Sequence, residues 1–281
     1  MSNRTQRIFV LVARLALAGL FLLPLLWAGL AALRPAGTPL SAPLLAGRPT
    51  LDAFARLFDV IPIWRFTANS LVVVALAVPL TLLTASWAGF AMARLPRPSQ
   101  RRWVVISLMA LMVPGVALWS SRFLIYSRLG IIDTVWALVA PAFMGSSPFY
   151  VLIFYRAFRR IPPAIYDAAQ LDGADVLATW GRVALPIARP SAAAVAALTF
   201  VAYWGDSLSP LLYLRDVGNF TLPVGLQLVQ QLGRSDYPLL MAGAVWATLA
   251  PLLLVVVAVA GLALAEKKRT RVMWSSADRH K

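Results

Sequence analysis

The chain has no cysteine, one histidine and few lysines among its 281 residues. Without cysteine there is no disulfide, no thiolate nucleophile and no cysteine-based metal site. The one histidine, His280, lies in a charged tail, so no nucleophile–base–carboxylate set is available. All lysines lie beyond residue 266, and no Gly-x-x-x-x-Gly-Lys-Ser/Thr phosphate loop is present. We therefore expect a chain that is not an enzyme and that holds no cofactor or metal.

Charge is also scarce, because 13% of the residues are charged and 60% are hydrophobic. This composition lies outside the range of ordinary soluble domains. The net charge of +15 is compatible with nucleic-acid binding, but the arginines and lysines cluster between apolar runs rather than along one soluble face. The basic excess therefore indicates membrane topology, and no nucleic-acid partner is expected.

Six apolar runs approach the roughly 20 residues that a helix needs to cross a bilayer. The 20 prolines are compatible with such helices, since neighbouring helices re-satisfy the carbonyls that a proline frees. The first run is too long for a cleaved signal sequence, so we expect a retained helix. The sequence predicts an all-α integral membrane protein with six transmembrane helices, over Leu15–Leu33, Ala68–Ala93, Trp103–Trp119, Val135–Tyr155, Ser191–Leu214 and Leu239–Ala265.

The basic residues are distributed unevenly between the two sets of connecting segments. Eighteen of the 26 lie in the N-terminus, in Arg94–Arg102, in the segment after the fourth run or in the tail, residues 266–281. Positively charged loops favour the cytoplasmic side. Both termini, the tail and the segment at 158–190 are therefore predicted to be cytoplasmic, and residues 34–66 are predicted to form an extracytoplasmic loop.

Within the predicted outer loop, an amphipathic pattern indicates a short helix. Leu51, Phe54, Leu57 and Phe58 share one helical stripe, and Thr50 is a plausible N-cap. Two interpretations remain open: a helix lying at the outer membrane surface, or a contact for a soluble partner outside.

The segment at 158–190 interrupts the apolar runs with charges, prolines and a glycine. Pro162 and Pro163 suit the first turn of a helix. Gly173 permits the left-handed conformation that turns the chain. A second short helix, with Trp180 on its apolar face, is predicted to stop at Pro186. The pattern predicts a helix, a turn and a helix on the membrane surface, which is a candidate docking element for another protein.

This segment closely resembles the EAA loop of permease subunits in bacterial binding-protein-dependent ABC transporters. The family pattern is Glu-Ala-Ala, three residues, Gly-Ala, then an aromatic residue and an apolar-x-Leu-Pro ending. Asp here replaces the usual Glu, and Trp replaces the usual Phe. The matching positions are Asp167, Ala168, Ala169, Asp172, Gly173, Ala174, Trp180, Val183, Leu185 and Pro186.

The resemblance implies an ABC importer type I permease fold, with residues 1–281 as a single transmembrane permease domain in the bacterial inner membrane. It implies that 158–190 is the coupling loop, which sits in a cleft of a cytoplasmic ATPase subunit. The implied partners are a second homologous permease, two ATPase subunits that carry the ATP and Mg, and an extracytoplasmic solute-binding protein. The implied coupling residues are Asp167, Ala168, Ala169, Asp172, Gly173, Ala174, Leu185 and Pro186.

Further motifs resemble the carbohydrate branch of the family, specifically the maltose-type second permease. They are spread over much of the chain, at Asn69–Leu71, Leu129–Thr134, Phe200–Ser207, Pro210–Leu214 and Thr221–Leu226. Gly205 and Ser207 depart from the usual Trp-Asn-Glu/Asp-Phe pattern. The tail also departs, since 272–276 replaces a glycine-rich ending. The resemblance implies a sugar or a related polyhydroxylated solute.

The fifth predicted span contains the candidates for a solute pathway. Asp206 is costly in hydrocarbon and is expected to face the bundle interior or a cavity, although it could instead cap or brace a helix broken at Gly205 and Pro210. Asn69 could simply tie helices together. Because this span contains no arginine, we expect a neutral solute. The predicted pathway residues are Asn69, Tyr203, Trp204, Asp206, Ser209 and Tyr213.

A stand-alone ion-coupled carrier is the alternative function. Such carriers need titratable relays inside the membrane and commonly show internal repeats. The sequence offers little beyond Asp206 for a relay and shows no repeat. The permease interpretation is therefore preferred.

Overall fold

The structure is a computed structural model that describes residues 3–39, 41, 43, 47–232, 236–253 and 256. Within these ranges every regular element is a helix, in agreement with the all-α prediction. The chain divides into two compact units, which are Met1–Pro62 with Leu226–Lys281, and Ile63–Gly225.

Thirteen helices are named here among the described residues. Short 3₁₀ turns at Gly115–Leu118, Ala140–Met144 and Val217–Asn219 connect some of them. The helices are α1 Asn3–Ala32, α2 Asp52–Val60, α3 Ile63–Arg94, α4 Arg97–Met112, α5 Trp119–Arg128, α6 Val135–Val139, α7 Pro148–Arg159, α8 Pro163–Leu171, α9 Val176–Ile187, α10 Arg189–Trp204, α11 Leu208–Tyr213, α12 Leu222–Leu232 and α13 Tyr237–Leu253.

Three stretches of the described chain are long and apolar enough to cross a membrane, namely Phe9–Ala32, Ile63–Arg94 and Val135–Arg159. Two bent helix pairs raise the number to five if each pair is a single span. The sixth predicted span, Leu239–Ala265, is described as helix only as far as Leu253, and its remainder and the tail lie outside the described residues. The count of six and the cytoplasmic termini therefore stay predictions.

In the first unit, α2 begins later than the sequence indicated. Leu51, not Thr50, precedes the first helical residue, and its side chain makes no capping hydrogen bond. The N–H of Thr50 instead donates to the carbonyl of Leu33, at 2.7 Å. The predicted cap is therefore wrong. Thr50 lies one residue before the N-cap position, and its backbone bonds to the residue at which the connection from α1 begins.

The predicted apolar stripe of α2 is only partly buried within this unit. Leu57 is fully buried, whereas Leu51 is 68% exposed. Phe58 packs edge-on against Trp246 of α13, with ring centroids 5.3 Å apart. Arg56 forms an ion pair with Asp236, and this hydrogen-bonded pairing raises the pKa of the guanidinium. Side-chain packing thus holds α2 against α13.

The second unit is built around α3, which starts at Ile63, earlier than the predicted Ala68. Its buried residues recur every three or four positions, as expected for one face of a helix. Gly89 allows α7 to approach closely, since a Cβ there would lie 2.8 Å from the backbone nitrogen of Tyr155. The helix pair α3–α7 therefore forms the scaffold of this unit.

The third predicted span, Trp103–Trp119, is not one straight helix. α4 ends at Met112, Val113 is extended, and the axis bends by 87° before α5. The physical reason is Pro114, which lacks an N–H and disfavours helical geometry in the residue before it. The single-helix interpretation of this run is corrected to a bent pair.

The fourth and fifth predicted spans are also interrupted. In the fourth, Gly145 and Ser146 both have positive φ between the 3₁₀ turn and α7. In the fifth, α10 ends at Trp204 and α11 begins at Leu208, so the break expected at Gly205 is present. The break expected at Pro210 is absent, because Pro210 lies in the first turn of α11, where its missing N–H costs no hydrogen bond. These two breaks, together with α5, position the cavity described below.

Candidate functional site

The segment between α7 and α10 has the predicted helix–turn–helix form. α8 begins at Pro163, with Pro162 immediately before it. Gly173 adopts φ +80° in the turn, which a side chain would strain. Asp175 then caps α9 by accepting the N–H of Ala178 at 2.6 Å. We call residues 163–187 the coupling segment.

Two details of α9 differ from the prediction. The helix contains a π-helical turn at Thr179–Ala184, which is the geometry of an extra residue inserted in a helix. It also continues through Pro186 and ends at Ile187. Pro186 follows helical residues without stopping the helix, because Leu185 before it keeps helical φ and ψ. The predicted stop at Pro186 is therefore wrong by one residue.

Tyr166 anchors the coupling segment to the rest of its unit. Its side chain is buried, and its hydroxyl donates to the carbonyl of Phe158 at 3.1 Å. Its ring contacts Phe90 edge-on, and the guanidinium of Arg94 lies 4.8 Å from the ring centroid. Burial raises the pKa of the Tyr166 phenol, so the hydroxyl stays a donor at neutral pH. Movement of α8 is thereby tied to α3 and α7.

The opposite face of the coupling segment is apolar and exposed. Leu171 is 89% exposed, Val176 is 76% exposed and Leu177 is 60% exposed. A surface of this kind, rimmed by carboxylates, is typical of a protein interaction site. The exposed carboxylates of the segment are Asp167, Asp172 and Asp175.

The eight predicted coupling residues divide between these two faces. Asp167, Ala168, Asp172 and Gly173 are exposed, as a docking role requires. The other four are buried or half-buried and face the unit itself, namely Ala169, Ala174, Leu185 and Pro186. Leu171, Val176 and Leu177, which no family pattern marked, supply most of the exposed apolar surface.

A cavity of about 230 Å³ lies where α5, α6, α7, α10 and α11 meet. Four predicted pathway residues line it: Tyr203, Asp206, Ser209 and Tyr213. The structure therefore brings together the polar residues on both sides of the α10–α11 break.

Asp206 caps α11 from within this cavity. Its Oδ1 accepts the N–H groups of Leu208 and Ser209, at 3.1 and 3.0 Å. The bracing role left open by the sequence is thus present. No described residue bonds to Oδ2. A carboxylate can brace the helix with one oxygen and face the cavity with the other.

The two tyrosines differ in how their hydroxyls are satisfied. Tyr203 shares a hydrogen bond of 3.0 Å with Ser146. The Tyr213 side chain is only 2% exposed, and its hydroxyl has no hydrogen-bond partner among the described residues. Because this hydroxyl is fully buried, Tyr213 lines the cavity with the rest of its side chain. The hydroxyl of Ser209, which is half-buried in the cavity lining and bonds to no described residue, is the one left for an occupant.

Trp204 and Asn69, the other two predicted pathway residues, lie elsewhere. Trp204 is buried and stacks on Phe200, with ring planes 9° apart and centroids separated by 5.7 Å. It follows Tyr203 directly, and successive helical residues point about 100° apart, so it faces away from the cavity. Asn69 donates to the carbonyls of Gly218 and Phe220, both at 2.9 Å. Asn69 thus has a structural role, which was the alternative left open by the sequence.

Sequence reasoning missed Arg122, Ser146 and Tyr150, which also line the cavity. The expectation of a neutral solute was based on the absence of arginine from the fifth predicted span. Arg122 comes from α5 instead, beyond the bend at Pro114. Pro114, in the third apolar run, was the signal that the run could bend, and the bend places Arg122 at the cavity.

Asp133 joins two connections at one edge of this unit. It adopts φ +62°, and its Oδ1 accepts the N–H groups of Arg215 and Asp216, at 2.9 and 3.1 Å. The side chain of Asn219 donates to its carbonyl at 2.9 Å. The hydrogen bond from Arg215 is the main cause that lowers the pKa of Asp133. The motif around Asp133 is therefore structural.

A helical membrane chain with an exposed surface segment between apolar helices and a polar cavity at their breaks has the features of the membrane part of a transport system. A family model described as "Binding-protein-dependent transport system inner membrane component" matches residues 85–272. The chain belongs to this family.

Three relatives illustrate the similarity. The arabinooligosaccharides transport system permease protein AraQ of Halalkalibacterium halodurans is 31% identical over 73% of either chain. The diacetylchitobiose uptake system permease protein NgcG of Streptomyces coelicolor is 29% identical over 83% of this chain and 78% of its own. The trehalose/maltose transport system permease protein MalG of Thermococcus litoralis is 27% identical over 87% and 89%.

The fold is similar to that of a chain in a crystal structure of a bacterial ABC transporter involved in the import of the acidic polysaccharide alginate. That comparison has a TM-score of 0.71 at 20% identity and covers 93% of this chain and 98% of the other. The chain is therefore a permease subunit of a binding-protein-dependent ABC importer and is not itself an enzyme. The prediction of a carbohydrate-branch permease is confirmed, and the stand-alone carrier is set aside.

Proposed function

We propose that this permease subunit moves a sugar or a related polyhydroxylated solute across the bacterial cell membrane, after delivery by an extracytoplasmic binding protein. The relatives named above are permeases for oligosaccharides or disaccharides, which supports this solute class. The observation that carries the proposal is the polar cavity at the α10–α11 break, lined by Tyr203, Asp206 and Ser209.

The chemistry of the cavity suits a hydroxylated ring. Tyrosine rings stack on the C–H faces of sugars, while hydroxyl and carboxylate oxygens bond to sugar hydroxyls. Arg122 and Asp206 line it together, so their opposite charges offset each other and a neutral solute remains favoured. At about 230 Å³ the cavity is smaller than the roughly 300 Å³ at which ligand pockets commonly begin. It suits one ring, or one end of a longer saccharide.

The proposed partners are a second homologous permease and two ATPase subunits, which bind the ATP and Mg. The apolar surface formed by Leu171, Val176 and Leu177 is the contact proposed for an ATPase subunit. When the ATPase pair closes, force on this surface passes through Tyr166 to α3 and α7. Since Gly89 lets these two helices touch along their backbones, they move together rather than independently.

The proposed sidedness places the coupling segment and both termini in the cytoplasm. The arginines around the coupling segment support this assignment, because the cytoplasmic side is enriched in positively charged loops. Residues 34–66 would then lie outside, where a binding protein delivers the solute.

The test is solute uptake and ATP hydrolysis by the complete transporter in proteoliposomes, with Ser209→Ala as the diagnostic variant. This change removes only a hydroxyl that lines the cavity and bonds to no described residue. We expect uptake to fall by about tenfold, corresponding to one lost hydrogen bond of roughly 1.4 kcal/mol, while basal ATPase activity is retained.

Tyr155→Phe is the matched control, since the Tyr155 hydroxyl bonds to Gln100 outside the cavity. Uptake by this control should stay close to wild type. Equal uptake by wild type and Ser209→Ala would remove the cavity from the solute pathway.

A further inference from the structure

One face of α4 combines a basic end with an apolar continuation. A groove along it is lined by three arginines near the start of the helix, followed by three apolar residues. The spacing follows the helical repeat, so these side chains share one face. We call this face the basic–apolar stripe; it consists of Arg97, Arg101, Arg102, Val105, Ile106 and Met109.

The stripe is open, whereas another face of α4 is held by the protein. Gln100 is buried; its amide donates to the carbonyls of Ala93 and Leu95, and its oxygen accepts from Tyr155. On the stripe, Ile106 is 50% exposed and Met109 is 62% exposed. The helix is therefore fixed on one side and presents the stripe outward.

The charges of the stripe are not neutralised within the described chain. Arg97, Arg101 and Arg102 make no hydrogen bond or ion pair with any described residue. The sequence also contains no carboxylate between Asp59 and Asp133. The counter-charge must therefore come from outside this part of the chain.

We propose that the basic–apolar stripe binds an anionic phospholipid. The arginines would hold the phosphodiester, for which guanidinium geometry is well suited. Val105, Ile106 and Met109 would contact an acyl chain. Charge complementarity favours a lipid over a protein helix, because the stripe changes from cationic to apolar along one axis in the same order as a phospholipid. Basic clusters beside membrane helices commonly recognise anionic headgroups.

The test uses the full-length chain in vesicles and the fluorescence of Trp103, which is half-exposed on α4 beside Arg102. Quenching by dibrominated phosphatidylglycerol is compared with quenching by dibrominated phosphatidylcholine, and Trp103→Phe isolates the contribution of this residue. We expect the Trp103-dependent quenching to favour phosphatidylglycerol by about fivefold or more, since each basic residue near an anionic surface contributes roughly that factor.

The triple variant Arg97→Gln, Arg101→Gln, Arg102→Gln should lose this preference. The matched control neutralises three other arginines, Arg48, Arg128 and Arg215, and should keep it. If the triple variant does not insert, Arg101→Gln alone should still weaken the preference.

Three results would overturn the proposal. The first is equal quenching by both lipids in the wild type, and the second is an equal loss of preference in the control variant. The third is loss of a co-purifying partner subunit from the triple variant while its lipid preference persists, which would make the stripe a protein contact.

Discussion

The coupling segment is one continuous stretch, residues 163–187, whereas the cavity collects side chains from five helices spread over residues 119–213. The segment has a buried face held by Tyr166 and an exposed apolar face. The cavity exists only because three apolar runs are broken or bent. The contrast shows that the coupling segment depends on local sequence and on one buried anchor, whereas the solute cavity depends on how several interrupted helices pack together.

The largest effect is expected from Tyr166→Ala, which detaches the coupling segment from α3 and α7. Removing a buried aromatic side chain costs about 3 kcal/mol, and the hydrogen bond to Phe158 is lost as well. We expect solute-stimulated ATPase activity to be abolished in proteoliposomes, with the purified chain still monodisperse in detergent. Tyr166→Phe, which keeps the ring, should retain most of the stimulation. If both variants coupled normally, the anchor would not transmit movement.

A second change acts on the scaffold that both regions share. Gly89→Val places side-chain atoms where Phe154 and the α7 backbone already lie, within 2.9 Å. Overpacking of this kind costs roughly 1–3 kcal/mol. We expect a lower thermal midpoint in detergent and a parallel loss of uptake and ATPase coupling. Gly115→Val, at a position with open space, is the control. Loss of uptake alone would show that the two regions do not share this support.

A third change separates the two roles of Asp206. Asp206→Ala removes the cap of α11, at a cost of roughly 0.5–2 kcal/mol, together with the cavity-facing oxygen. Asp206→Asn keeps an oxygen that can cap. We expect uptake to fall strongly in the alanine variant and partly in the asparagine variant, with assembly retained in both. Uptake and the thermal midpoint, measured on the same preparations, separate a role in solute binding from a role in stability. Wild-type uptake by the asparagine variant would show that Asp206 acts only as the cap of α11.

The smallest expected effect concerns pH and Asp133. Its folded pKa lies below the unfolded value of about 3.9, so its stabilising effect is complete above that value and is lost as the pH falls through the folded pKa. The protease resistance of the loop at residues 214–219 should therefore decrease as the pH falls below about 4. Asp133→Asn should remove this dependence. An identical pH profile in both proteins would contradict the assignment.

Local signals predicted the coupling segment well, because Pro163 and Gly173 fix its start and turn through their own backbone preferences. They failed at Thr50, whose backbone bonds to Leu33. The cavity was only partly predictable. Gly205 marked the break beside Asp206, but the position of Arg122 depends on an 87° bend and on packing between distant helices. Trp204 was also mispredicted. Its aromatic character suggested a solute contact, but its position on α10 points the side chain away from the cavity.

The central claim is that the exposed apolar face of the coupling segment receives the ATPase, separately from the solute cavity. The most direct measurement is solute-stimulated ATP hydrolysis by the reconstituted transporter carrying Leu171→Ser and Leu177→Ser. The control is Leu129→Ser, a comparably exposed leucine immediately after α5. We predict that the double variant inserts normally but loses both stimulation and co-purification of the ATPase, while the control keeps both. Normal stimulation in the double variant would contradict the account.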